Sequence, residues 1–139
     1  MSLSIRNQIP GTVTAITSGE VMATVRVRAT GGQDITAAVT REAVESLGLA
    51  EGSAVRVLAK STEVSLATGT VDGLSIRNQL PGTVTSVATG NAMASVKVAV
   101  EGAELTAAIT RDAVDALKLE TGSPVVALIK STEVALASA

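Results

Sequence analysis

From Ala23 onward the chain alternates. Ala23-Thr24-Val25-Arg26-Val27-Arg28 sets apolar and polar side chains in turn, the period of two that belongs to a strand with one buried face. Met93-Ala94-Ser95-Val96-Lys97-Val98 does the same. Gly11 to Ile16, rich in β-branched residues, predicts an earlier strand. Ile35 to Val39 and Ala54 to Ala59 predict two more, and Glu63 to Ala67 a last short one, with Gly19, Gly31-Gly32 and Gly52 as punctuation. Only Thr40 to Leu47 has a helical period, with Val39, Ala43, Val44 and Leu47 on one side and Thr40 placed to cap the first turn. Leu49 to Gly52 ends that helix. Five strands, with one short helix after the third or the fourth, predict an all-β fold of the OB-like Greek-key barrel type.

The pattern occurs twice. Ser4-Ile5-Arg6-Asn7-Gln8-Ile9-Pro10-Gly11-Thr12-Val13-Thr14 returns 71 residues later as Ser75-Ile76-Arg77-Asn78-Gln79-Leu80-Pro81-Gly82-Thr83-Val84-Thr85. After Thr30 the second copy is one residue shorter, and the shift becomes 70: Thr36 to Arg41 matches Thr106 to Arg111, and Lys60-Ser61-Thr62-Glu63-Val64 matches Lys130-Ser131-Thr132-Glu133-Val134. The chain is a tandem duplication, with a first domain at 3–68 and a second at 74–138. Thr68 to Gly73 forms the joint, with the Gly and Asp that turns favour. Two copies are too few for a solenoid. Two tandem barrels are therefore expected. Whether the first strand of one unit completes its own barrel or the other's is left open by the sequence.

Composition narrows the chemistry. The 139 residues include no Cys, no His and no Phe, Tyr or Trp. Cys/His metal sites, thiol chemistry and Ser-His-Asp triads cannot be built from this set. Base stacking on aromatic rings is excluded too. Eleven basic residues against thirteen acidic ones leave a net charge of −2, with no polyanion-binding footprint. The hydrophobic 46% is mostly Ala and Val, and no apolar run approaches the roughly 18–20 residues of a membrane helix. No signal-peptide pattern opens the chain, so a soluble cytoplasmic protein is expected. A domain of about 70 residues is marginal alone, and more so without aromatic side chains, which bury about 150–250 Å² each. Burial against a partner subunit is therefore expected.

Three repeated stretches carry candidate chemistry: Ser-Ile-Arg-Asn-Gln, the Thr-Arg that opens the helix, and Lys-Ser-Thr-Glu-Val. Arg supplies a planar fork of donors, Lys a compact charge, and Ser and Thr hydroxyl donors, which together suit an anion. Residue types alone equally allow Arg6 and Lys60 to be solvated charges at strand ends. The three motifs taken together, in this order and spacing and in both units, resemble the molbindin (Mop) domain of the TOBE superfamily. The duplicated arrangement is similar to the di-domain molbindins of bacteria, the molybdate-storage or homeostasis proteins of nitrogen fixers.

That resemblance implies that molybdate or tungstate binds as an intact tetrahedral dianion at domain and subunit interfaces, with no further cofactor and no bare metal ion. The implied ligands are Ser4, Arg6, Lys60 and Ser61 with Thr40, and Ser75, Arg77, Lys130 and Ser131 with Thr110; each Thr would come from a neighbouring domain. Two cations balance a dianion, and neutral donors cap its remaining oxygens. Glu63 and Glu133 are expected to be turned from the site by strand alternation, and Glu42 and Asp112 to serve the first helical turn. Asn7, Asn78, Gln8 and Gln79 are expected to pair with backbone at the domain edge. The resemblance also implies rings of six domains, hence a homotrimer.

Other classes fit less well. Glu63, Glu42 and Asp34 recur as Glu133, Asp112 and Glu104, but no nucleophile stands with a base, so no enzyme is expected. An OB-type nucleic-acid or protein interaction module remains the alternative, opposed by the missing aromatics and the acidic balance. A detached regulatory part of a molybdate transporter is a further one; the phosphate-binding loop of an ATPase is absent. With nothing ahead of Ser4 that reads as a helix-turn-helix, a regulator with its own DNA-binding head is not expected.

Overall fold

The computed structural model describes residues 1–139. Each repeat forms four strands in succession and a fifth after a tight turn. In the first these are β1 (Asn7–Ser18), β2 (Met22–Ala29), β3 (Asp34–Thr40), helix α1 (Arg41–Ser46), β4 (Ala54–Ala59) and β5 (Ser65–Ala67). In the second they are β6 (Asn78–Thr89), β7 (Met93–Val100), β8 (Ala103–Thr110), helix α2 (Arg111–Leu117), β9 (Pro124–Ile129) and β10 (Ala135–Ser138). The alternation read in the sequence holds: along β2 every second residue, from Ala23 to Ala29, is buried. β1 carries a bulge between Val13 and Ala15, and β6 the matching one between Val84 and Ser86. Such bulges bend long strands and let a sheet curl.

The two five-stranded sheets do not follow the boundaries of the repeat. One has the order β10-β4-β1-β2-β3 and the other β5-β9-β6-β7-β8, all neighbours antiparallel. The last strand of each repeat thus crosses to the other's sheet: Ala135 stands opposite Leu58, and Ser65 opposite Leu128. The exchange concerns the fifth strand, not the first.

The predicted last strand, Glu63 to Ala67, is shorter than expected. Ser61–Glu63 and Ser131–Glu133 are single 3₁₀ turns, closed by Glu63 N–H to the Lys60 carbonyl at 2.9 Å and by its counterpart Glu133 N–H to the Lys130 carbonyl at 2.9 Å. The turn redirects the chain across the molecule, and Val64 and Val134 anchor the crossing in the core, exposed by only 1% and 3%. The Ser61–Glu63 turn packs on β8 and the Ser131–Glu133 turn on β3. One continuous core of Val, Ile, Leu and Ala therefore runs through both repeats, with Ile35, Leu80, Leu105 and Ile129 its largest fully buried side chains.

Both helices start as expected. The Thr40 hydroxyl accepts from the Ala43 N–H and the Thr110 hydroxyl from the Ala113 N–H, each at 3.1 Å. Val44 is buried, but Leu47, expected on the same buried side, is 40% exposed, because the helix stops at Ser46 and leaves it as the cap residue.

The hairpin tips of the two repeats meet. Gln33 Nε2 donates to the Glu101 carbonyl at 2.6 Å, and a Cβ at Gly31 would fall on that same carbonyl. The extra residue of the first repeat lies in this tip, and at Gly31 only a residue without a side chain fits.

Candidate functional site

β1 and β4 pair with Asn7 opposite Ala59, so the segment before β1 and the segment after β4 leave the sheet side by side. This register brings Ser4-Ile5-Arg6 against Lys60-Ser61-Thr62, and the six residues line an open cleft of about 250 Å³. The pairing of Asn78 with Ile129 does the same in the second repeat: Ser75, Ile76, Arg77, Lys130, Ser131 and Thr132 line a cleft of about 280 Å³. Of the ten expected site residues, Ser4, Arg6, Lys60 and Ser61 are gathered in the first cleft and Ser75, Arg77, Lys130 and Ser131 in the second. Ile5, Ile76, Thr62 and Thr132 also line the clefts and were not singled out in the sequence. For the threonines the signal was there, since they stand inside the Lys-Ser-Thr motif.

The electrostatics of the two clefts are simple. The three ion pairs of the molecule are Arg28–Asp34, Arg41–Glu45 and Lys97–Glu104, so Arg6, Lys60, Arg77 and Lys130 have no carboxylate partner. Each cleft carries two cations that form no ion pair. The guanidinium of Arg6 shapes its own loop, donating from Nε to the Ser4 carbonyl at 3.0 Å and from Nη2 to the Leu3 carbonyl at 2.9 Å. Arg77 repeats this with the carbonyls of Ser75 at 3.2 Å and Leu74 at 2.6 Å. Two of the five guanidinium N–H groups are used in this way, and the rest stay available.

The hydroxyls of Ser61 and Ser131 are buried and have no hydrogen-bond partner. A buried, unpaired polar group costs about 1–3 kcal/mol, so orphans are uncommon. Here the same atom is orphaned in both repeats, beside the same two cations. A ligand with oxygen acceptors would satisfy it.

Thr40 and Thr110 are not brought to these clefts within the chain. Thr40 caps α1 and lines a separate cleft of about 470 Å³ with Glu20, Val21, Arg41, Glu42 and Glu45. Glu63 and Glu133 border neither cation cleft, but the expected reason, strand alternation, does not apply. They sit in the 3₁₀ turns and line a separate cleft of about 130 Å³ together with Lys60 and Thr132. Glu42 and Asp112 lie in the first helical turns, as expected.

Asn7 and Asn78, the two buried polar residues, pair with backbone of the opposite repeat. Asn7 Nδ2 donates to the Thr106 carbonyl and Asn78 Nδ2 to that of Thr36, each at 2.9 Å. Gln8 and Gln79 donate to the carbonyls of Ile5 and Ile76, each at 3.0 Å. The two marked proton shifts lie elsewhere, in one pair: on β2 and β3 the Arg28 guanidinium, bonded to Asp34 at 2.6 Å, holds that exposed carboxyl below the usual range, and the carboxylate raises the guanidinium in turn. No group of His, Cys, Asp or Glu is arranged to hold a metal ion, and no helix is long and apolar enough to cross a membrane.

Comparison with known proteins shows what the chain as a whole is similar to. The chain is 40% identical over 139 residues to the molybdenum transport protein ModE of Herbaspirillum seropedicae, covering 99% of this chain and 52% of that protein. It is 38% identical over 136 residues to the molybdenum-pterin-binding protein MopB of Rhodobacter capsulatus, covering 96% and 50%. The chain thus spans about half the length of the curated relatives it matches. Among solved structures, the cytoplasmic molybdate-binding protein ModG in its molybdate-bound form superimposes over the whole of both chains with a TM-score of 0.97 at 39% identity. The family described as the TOBE domain matches at residues 3–66 and again at 74–136. With both halves matched, the chain belongs to the TOBE domain family.

Proposed function

We propose that the chain binds molybdate, and tungstate with it, as an intact tetrahedral dianion in the two clefts, and that it serves molybdenum storage, buffering or homeostasis in the cytoplasm. Each repeated unit, 3–68 and 74–138, supplies one cleft. The observation that carries the reading is the orphaned Ser61 and Ser131 hydroxyl beside two cations that form no ion pair. Arg6 with Lys60, and Arg77 with Lys130, match the charge of a dianion, and Ser4, Thr62, Ser75 and Thr132 offer further donors. The similarity to a molybdate-bound protein over the full chain supports the same ligand.

The clefts are open on one side, and Thr40 and Thr110 lie apart from them. We assign these threonines to the clefts of neighbouring subunits, in a homotrimer of six repeats. The small Ala/Val core supports association, since it gives each repeat little burial of its own. A binding protein, not a catalyst, fits this donor set, and the acidic balance argues against a nucleic-acid partner.

Calorimetric titration tests the ligand. Molybdate and tungstate are expected to bind, and sulfate far more weakly, because a smaller tetrahedron leaves donors unpaired at about 1–3 kcal/mol each. Equal affinity for sulfate would reduce the clefts to generic basic patches. Arg6→Ala or Lys60→Ala removes a donor worth about 1.5–3 kcal/mol toward a charged group, a loss of about tenfold to hundredfold at the sites of the first unit. Native mass spectrometry of the same samples reads subunit number and anion count together; a stable monomer would contradict the inter-subunit threonines.

A further inference from the structure

The residues that line the two clefts are identical in type, yet the shell behind them is not. Behind the first cleft stands Arg56 on β4, half-buried and opposite Pro10 in the β1–β4 register. Its Nη1 donates to Gln8 Oε1 at 2.9 Å, and Gln8 Nε2 donates to the Ile5 carbonyl at 3.0 Å. Ile5 is the residue between Ser4 and Arg6. A guanidinium thus holds, through one side-chain amide, the peptide that aims both of those donors. Arg56 has no carboxylate partner, so its charge is not cancelled locally.

The second repeat keeps half of this relay. Gln79 Nε2 donates to the Ile76 carbonyl at 3.0 Å, as Gln8 does to Ile5. At the register position of Arg56, opposite Pro81, the second repeat has Val126. Valine offers no donor, so Gln79 Oε1 receives nothing from β9 and the amide is held from one end only. The Ser75-Ile76-Arg77 loop lacks both the second anchor and the additional positive charge.

We infer that the two clefts are inequivalent anion sites, the first tighter than the second, and that Arg56 is the positioning residue that makes it so. The inference rests on the reading that both clefts take molybdate. A loop already held in the binding geometry loses less freedom when the anion arrives, and charge-assisted bonds in series polarise one another. Ordering costs of the size set by one or two side chains correspond to a difference of about threefold to tenfold in affinity.

The test uses the full chain and calorimetric titration with sodium molybdate, which suits a protein without aromatic fluorophores. Lys130→Ala cripples the second cleft and leaves the first to report; Lys60→Ala does the reverse. The Lys130→Ala chain is expected to hold molybdate about threefold to tenfold more tightly than the Lys60→Ala chain. Arg56→Val added to Lys130→Ala abolishes that advantage, and Arg56→Lys recovers part of it. Arg56→Val added to Lys60→Ala leaves the second cleft unchanged. Val126→Arg added to Lys60→Ala tightens the second cleft, a gain that a merely structural arginine would not give. Equal affinities in the two single variants, or an Arg56→Val loss shared by both clefts, overturn the inference while leaving molybdate binding intact. A wild-type chain that takes up no molybdate overturns the functional reading, and the inference falls with it.

Discussion

Asn7 and Thr106 form a closed pair across the two repeats: Asn7 Nδ2 donates to the Thr106 carbonyl at 2.9 Å, and the Thr106 N–H donates to Asn7 Oδ1 at 2.7 Å. Asn78 repeats this on Thr36, at 2.9 and 2.8 Å. A carboxamide reproduces the backbone ladder at the point where the sheets turn toward each other. Both backbone groups of the opposite strand are satisfied by one side chain.

Asn7→Ala leaves the Thr106 N–H and carbonyl unpaired in a buried setting, at about 1–3 kcal/mol. Chemical denaturation is expected to show an unfolding free energy lowered by that amount, read as a lower midpoint with the slope unchanged. Asn7→Asp is expected to be worse, since it sets a carboxylate oxygen against the Thr106 carbonyl. An Asn7→Ala chain as stable as the wild type would show that the pair contributes nothing to joining the repeats.

Because β10 completes the sheet of the first repeat, removing residues 135–139 should be felt at a distance in sequence. Hydrogen exchange is expected to speed up along β4, from Val55 to Leu58, which faces β10. β9, whose neighbours are β5 and β6, should keep its protection. Faster exchange confined to β9 would mean that each repeat keeps its own last strand in solution.

Lys118 follows α2 with φ 53° and ψ 46°, in the left-handed region, where the first repeat has Gly48 at φ 62°. A side chain in that conformation costs about 1 kcal/mol against glycine. Lys118→Gly is expected to raise the melting temperature by a few degrees. A lowered melting temperature would mean that the Lys118 side chain makes a compensating contact in solution.

The strands were legible because each has one buried face. Val25 and Val27 are fully buried between exposed Thr24, Arg26 and Arg28, as alternation requires. The duplication was legible because Ser4 to Thr14, Thr36 to Arg41 and Lys60 to Val64 recur almost unchanged. The exchange of last strands was not. Glu63-Val64-Ser65-Leu66-Ala67 and Glu133-Val134-Ala135-Leu136-Ala137 are nearly the same segment, so either fits either sheet, and residue preference cannot choose between them. The approach of Arg6 to Lys60 depends on the β1–β4 register, a long-range pairing that neither motif encodes. Thr62 and Thr132 stood in the repeated Lys-Ser-Thr motif, but nothing in residue type set them apart as lining residues until the 3₁₀ turns placed them. Arg56 carried no signal, being one charged residue in a strand; its meaning lies in what it touches, and in the valine that replaces it.

The most direct measurement is a crystal structure of the full chain grown with molybdate, with anomalous data collected at the molybdenum edge. Anomalous peaks are expected in the clefts bounded by Ser4, Arg6, Lys60 and Ser61 and by Ser75, Arg77, Lys130 and Ser131, with the Ser61 and Ser131 hydroxyls turned onto molybdate oxygens. Peaks confined to other surfaces, with both hydroxyls still unpaired, would contradict the assignment of the site.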